Sequence, residues 1–209
     1  MKKCIIFCAG GFDRLAAPIG ETDLVIAADG GLRHTQKLGL QPDIIMGDFD
    51  SLGYIPENAL VFPVEKDDTD SLLAIKKGLE KGCTEFVLYG CLDGSRVDHT
   101  MANFQALLFL KNHGARGFLV GLRQIATVFQ NESVTFPAAF SGNFSLFCLG
   151  KDAAGVTVRN LKYNLEGGSL TAGFPLGVSN SFVGTPALVQ VEDGSLLAIW
   201  DRDNGIILC

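Results

Sequence analysis

The stretch "IIMGDFDS", residues 44–51, carries an apolar run straight into Gly47-Asp48-Phe49-Asp50-Ser51. It reads as a buried strand that delivers two carboxylates to one turn. If strand geometry persists through that turn, Asp48 and Asp50 point to the same side, because side chains alternate with a period of two. At about 5 Å and an effective dielectric near 20, their repulsion is on the order of 3 kcal/mol. A proton, a base or a divalent cation can offset it.

Working outward, residues 1–128 alternate apolar strands with helical stretches. The strand candidates are "CIIFCAG", "DLVIAADG", "DIIMGDFD", "ALVFPVE" and "EFVLYG", separated by "GLRHTQKLG", "DSLLAIKKGLEKG" and "VDHTMANFQALLFLKNHG". Runs apolar at almost every position indicate strands covered on both faces, and alternation with helices indicates a parallel sheet. The expected fold is an α/β, doubly wound nucleotide-binding domain. In "DSLLAIKKGLEKG", Leu72, Ile75 and Leu79 form the predicted inner stripe. From residue 129 to 209 the texture changes to short β-rich segments punctuated by Gly, Asn and Pro, such as "NFSLFCLG" and "AGVTVRNL". That pattern predicts a smaller antiparallel β-sandwich or barrel-like domain.

Composition narrows the function. With 47% hydrophobic and 19% charged residues in 209, the chain can build a proper core. A formal charge of −6 without a Lys/Arg run argues against binding nucleic acid through its phosphates. The first apolar run is too short for a membrane span and lacks a small-residue cleavage site, so a cytoplasmic protein with no membrane association is expected. Cys4, Cys8, Cys83, Cys91, Cys148 and Cys209 show no CxxC spacing, which points to buried thiols rather than zinc or disulfides.

Open α/β sheets bind ligands beyond the carboxyl ends of their strands. Eight of the fifteen aspartates, at 29, 48, 50, 67, 68, 70, 93 and 98, fall in four such turns. Capping accounts for some singly: Asp67, Asp68 or Thr69 suits the start of the helix near Asp70, and Asp98 the start of the next. Capping explains the Asp48/Asp50 pair poorly, and a shared cation site explains the convergence better. Mg²⁺ takes one or two carboxylates and completes its shell with water and substrate phosphates. Gly10-Gly11, Gly30-Gly31 and Gly90 suit close approach of backbone N–H groups to phosphate oxygens, and Arg96 suits a bidentate phosphate contact. There is no GxxxxGK[ST], and no GxGxxG follows the first strand.

The ordered pieces "AADGG" (27–31), "PDIIMGDFDS" (42–51), "EKDDTD" (65–70), "GSRVDHTMAN" (94–103) and "GVSN" (177–180) make the chain similar to the thiamine pyrophosphokinases, bacterial type. The resemblance spans nearly the whole chain. It implies conversion of thiamine and ATP into thiamine diphosphate and AMP by a homodimer that holds thiamine near its subunit interface. It further implies that Asp48, Asp50 and Asp70 gather Mg²⁺ around the ATP phosphates, with Asp98 in the acidic cluster. Asp29, Gly30, Gly31 and Arg96 would serve the nucleotide, beside the Gly10-Gly11 turn read above for its phosphates, and Ser179 and Asn180 would contact thiamine. Two departures stand out. A turn reading "GATGGR" in relatives is "GCLDGSR" here, which adds Asp93 and Ser95. Some relatives stack a tryptophan on thiamine where this chain has Ala198, with Trp200 two residues on and on the same strand face; a core role for Trp200 is the stronger expectation.

The implied chemistry is attack of the thiamine hydroxyl on the β-phosphorus, with Asp70 or Asp98 as proton acceptor. Two other readings fit parts of the sequence. A DxD-type Mg-dependent phosphohydrolase would use one aspartate as nucleophile and needs a downstream lysine beside it; a non-catalytic nucleotide or thiamine sensor would bind without turnover.

Overall fold

The computed structural model describes residues 2–207, so Cys209 lies outside the described residues. The chain divides into two compact units, residues 1–122 and 123–209.

Unit 1 runs β1 (Lys3–Phe7), β2 (Leu24–Ala28), α1 (Leu32–Lys37), β3 (Ile44–Gly47), β4 (Leu60–Val61), α2 (Asp70–Glu80), β5 (Glu85–Tyr89), α3 (Val97–Asn112) and β6 (Arg116–Val120). Its strands lie side by side as β6-β5-β1-β2-β3-β4, and every pairing is parallel. All five residues of β2 are buried, as a strand apolar at each position requires. Burying each large aliphatic contributes about 1.5–3 kcal/mol. The order runs outward from β1 through β2, β3 and β4, and reverses between β1 and β5.

Three local expectations change. "ALVFPVE" forms only the two-residue edge strand Leu60–Val61, with both side chains exposed, and Pro63 follows without an N–H to continue a ladder. "RGFLV" adds β6 beside β5, a strand absent from the expected set. In α2 the buried positions are Ala74, Ile75 and Gly78, with Leu72 and Leu79 only part-buried. The helix turns this way because Gly78 faces Phe86 and Cys4; a Cβ there would stand 2.5 Å from the Phe86 ring.

Unit 2 contains β7 (Gln124–Gln130), β8 (Ser133–Phe136), β9 (Asn143–Cys148), β10 (Ala153–Arg159), β11 (Leu165–Leu170), β12 (Asn180–Ser181), β13 (Ala187–Gln190) and β14 (Ser195–Asp201). They form two antiparallel arrays, β12-β9-β14-β7 and β11-β10-β13-β8. Phe136 of β8 meets Phe129, Phe144 and Trp200 of the other array at ring distances of 6.1, 5.0 and 5.7 Å, so the two share one aromatic core. The unit begins earlier than residue 129 because β7 pairs along its whole length with β14, from Gln124↔Asp201 to Gln130↔Ser195. Its apolar run resembles those of the preceding parallel strands, and only the pairing assigns it. Among the described residues, no helix is long and apolar enough to cross a membrane.

Candidate active site

The site is built where β2 and β3 end side by side, with Ala28 opposite Met46. Strand geometry does not persist into the DFD turn: Phe49 takes φ +60° and buries its ring to 2% exposure. The inward ring anchors the turn, and the Asp50 N–H donates to Asp48 Oδ1 at 3.3 Å. Asp48 and Asp50 still converge, but through this local turn rather than the pleat. One carboxylate oxygen from each, with one from Asp29, lies within 4.8 Å of the others.

Asp29 sits in a one-turn helix, Asp29–Gly31, in the left-handed region at φ +47° and only 8% exposed. Its Oδ2 accepts from the Ser51 hydroxyl at 2.6 Å, and the Ser51 carbonyl accepts from Arg33 at 2.7 Å. Asp29 Oδ1 is buried with no hydrogen-bond partner among the described residues. A buried carboxylate oxygen left over in this way is costly. Three hard oxygen donors this close together suit a cation such as Mg²⁺.

Lys66 is the residue sequence reasoning missed. Its Nζ lies 2.7 Å from Asp48 Oδ2 and 3.0 Å from Asp70 Oδ1, with the lysine side chain 13% exposed. The only sequence signal was its position four residues before Asp70. Partial burial works upward on Asp48, but hydrogen bonds from Lys66 and the Asp50 N–H hold its carboxyl below the usual range. Burial raises Asp70, the Asp48 and Asp29 charges add to the rise, and Lys66 opposes them without cancelling it. Burial works downward on Lys66, and its two carboxylate partners outweigh that and hold it protonated. Thr69 caps α2 by accepting from Leu72 N at 3.2 Å, and Asp68 pairs with Lys76 at 2.6 Å. Two residues of "DDTD" are therefore spent on the helix start.

A cavity of about 400 Å³ opens beside these groups, lined by the turns after β1 and β5 together with Asp29, Ser51, Asp70 and Arg96. Gly10 N donates to Gly90 O at 3.0 Å and Gly11 N to Asp93 O at 3.3 Å, so the two turns are stitched together. A Cβ on Gly31 would run into the Phe7 carbonyl, and one on Gly30 would meet Ala9 and Ser51 at 2.9 Å. These two glycines serve packing against β1. Asn103 accepts from Ser71 at 2.8 Å and donates to the Cys91 carbonyl at 2.8 Å, tying α2, α3 and the β5 turn into one wall.

Asp98 stands apart from the Asp29–Asp48–Asp50 group. It is exposed and bidentate with Arg96 at 3.2 and 2.5 Å, and Arg96 holds its carboxyl below the usual range. Asp93 is used inside the fold, accepting from Leu122 N at 2.5 Å, so the "GCLDGSR" departure braces the turn against the end of β6. Ser179, at φ +62°, and Asn180 line a second cavity of about 560 Å³ within unit 2. Both ends of the Asn180 amide are engaged by the Tyr163 backbone, at 3.0 and 2.7 Å. Trp200 is fully buried and donates to Gly205 O at 2.9 Å, a core residue as expected.

Fold and site together define a two-domain protein: a parallel α/β unit with an acidic, cation-type site and an antiparallel unit with its own cavity. Residues 16–119 match the family profile "Thiamin pyrophosphokinase, catalytic domain", and residues 131–196 match "Thiamin pyrophosphokinase, vitamin B1 binding domain". The chain belongs to the thiamin pyrophosphokinase family. The solved thiamine pyrophosphokinase from Bacillus subtilis is 25% identical, with TM-score 0.82 over 97% of this chain and 100% of that one. The enzyme from Geobacillus thermodenitrificans is also 25% identical, with TM-score 0.77 over 96% and 97%. Thiamin pyrophosphokinase from Candida albicans, 14% identical with TM-score 0.77 over 95% and 88%, shares the fold. No curated protein matches the sequence.

Proposed function

We propose that the chain transfers the pyrophosphoryl group of ATP to the hydroxyl of thiamine, giving thiamine diphosphate and AMP. The observation that carries the site is the convergence of Asp29, Asp48 and Asp50, one carboxylate oxygen of each within 4.8 Å of the others. In this proposal unit 1 is a doubly wound nucleotide-binding domain. The strand order reverses between β1 and β5, and a crevice at such a reversal is where open α/β sheets take ligands. The turns stitched by Gly10 and Gly90 and the Arg96 side chain line it for the nucleotide. Unit 2 would hold thiamine in the cavity bordered by Ser179 and Asn180.

The resemblance implied Asp48, Asp50 and Asp70 as the holders of Mg²⁺; the oxygens that lie together are those of Asp29, Asp48 and Asp50, which would hold it here, while Asp70 is joined to Asp48 through Lys66. When bound, the ion neutralises charge on the phosphate oxygens as it builds up. The thiamine oxygen forms a bond to the β-phosphorus in line with the bond to the departing AMP oxygen. Asp70 accepts the hydroxyl proton. Of the two aspartates weighed for this step it is the one whose affinity for a proton is raised, whereas Asp98 is exposed and held acidic by Arg96. Lys66 keeps Asp48 and Asp70 in place and carries positive charge beside them. Pairing of two copies and a cytoplasmic location complete the proposal.

Lys66 beside Asp48 also gives the DxD phosphohydrolase one observation in its favour, since that chemistry needs a lysine near its nucleophile. Chromatographic or mass detection of products separates the two. Thiamine, ATP and Mg²⁺ should yield AMP and thiamine diphosphate in equal amounts, and only with the divalent cation present. Free phosphate with a trapped aspartyl-phosphate would establish the hydrolase instead.

A further inference from the structure

Taking Asp29, Asp48 and Asp50 as holders of a divalent cation, we propose that Lys66 is a built-in second cation, so that the protein anchors one metal ion rather than two. The four carboxylates 29, 48, 50 and 70 are the donor set a two-metal phosphoryl-transfer site would use, and such ions sit about 3.5–4 Å apart. Asp48 belongs to both halves of that set, grouped with Asp29 and Asp50 and joined through Lys66 to Asp70. Its Oδ2 is already taken by Lys66 Nζ at 2.7 Å, and the same ammonium reaches Asp70 Oδ1 at 3.0 Å. Lys66 therefore occupies the position from which a second ion would contact Asp48 and Asp70.

The placement is held by the fold. Lys66, Asp48 and Asp70 have side chains only 13%, 11% and 24% exposed, so the ammonium has little room to swing away. Asp70 is fixed at the start of α2 by the Thr69 cap, and Asp48 by the turn that buries Phe49. A divalent ion entering between the two carboxylates would have to expel a cation that is hydrogen-bonded to Asp48 and ion-paired with Asp70. The Asp29 side differs, since it offers a carboxylate oxygen with no cation or donor on it among the described residues.

Mn²⁺ titration of the full chain, followed by electron paramagnetic resonance, tests this. The unaltered protein should bind one Mn²⁺ per chain with a mononuclear six-line spectrum, even at excess metal. Lys66→Gln should bind two and show the broadened spectrum of a spin-coupled pair. Lys66→Arg, which keeps the charge, should return to one. Circular dichroism establishes that each variant is folded. Two ions or a coupled spectrum in the unaltered protein would overturn the role of Lys66 and leave the acidic site standing, a result that needs no variant. One ion in a folded Lys66→Gln would overturn it as well. No Mn²⁺ bound by the unaltered protein would remove the acidic site itself, and the inference with it.

Discussion

Ser51 donates its hydroxyl to Asp29 across 2.6 Å, joining the turn after β3 to the end of β2. The bond serves one oxygen of a nearly buried carboxylate, whose second oxygen has no partner among the described residues. Ser51→Ala removes it and leaves a nearly buried charge poorly satisfied. A loss of about 1–3 kcal/mol in urea-unfolding stability is expected, together with weaker Mn²⁺ binding. Unchanged stability would show that Ser51 does not hold Asp29.

Asp50 is the exposed member of the three-carboxylate group. Asp50→Asn keeps its size and disturbs no buried contact, so unfolding stability should change by no more than about 0.5 kcal/mol. Thiamine diphosphate formation should fall at least a hundredfold. Near-normal turnover measured by product chromatography would take Asp50 out of the mechanism.

Gly31 lies against the backbone of β1, and a methyl group there collides with the Phe7 carbonyl. Backbone cannot step aside as a flexible side chain can. Gly31→Ala should cost roughly 3 kcal/mol, read as a lowered midpoint in thermal unfolding. Gly39→Ala, with nothing within 4 Å of the added carbon but φ at +66°, should cost only about 1 kcal/mol.

His34 packs beside Phe12 and bonds through Nε2 to the Gly10 carbonyl at 2.8 Å. Burial pushes its pKa below the ordinary value of 6.5; the Gly10 bond works upward, and Lys37 and Arg33 add to the depression. The unfolded chain thus takes up a proton more readily than the folded one. This contribution to stability is present above pH 6.5 and is lost as pH falls through the depressed folded value. Urea midpoints measured between pH 7.5 and 5 should drop for the unaltered protein, and less steeply for His34→Gln. Parallel profiles would mean that His34 does not govern this range.

The sequence by itself determined the two textures, and with them the two units. Strands apolar at every position must be covered on both faces, while short β-rich segments broken by Gly, Asn and Pro suit an antiparallel β unit. It also showed acids gathered in turns after apolar runs, Asp29, Asp48, Asp50 and Asp70 among them, but it grouped Asp48 and Asp50 with Asp70 rather than with Asp29. What it could not show was which acids meet. Asp29 joins the pair because β2 and β3 are neighbours in the sheet, whereas Asp98 leaves it because Arg96, two residues away, claims it first. The same limit hid Lys66, whose partners Asp48 and Asp70 lie on separate elements. It also blurred the boundary near β7, since a buried strand has the same composition whether its neighbour runs parallel or antiparallel. Local pattern is written in the order of residues; the pairing of distant charges is settled by burial, where an ammonium with two carboxylates in reach has no water to prefer.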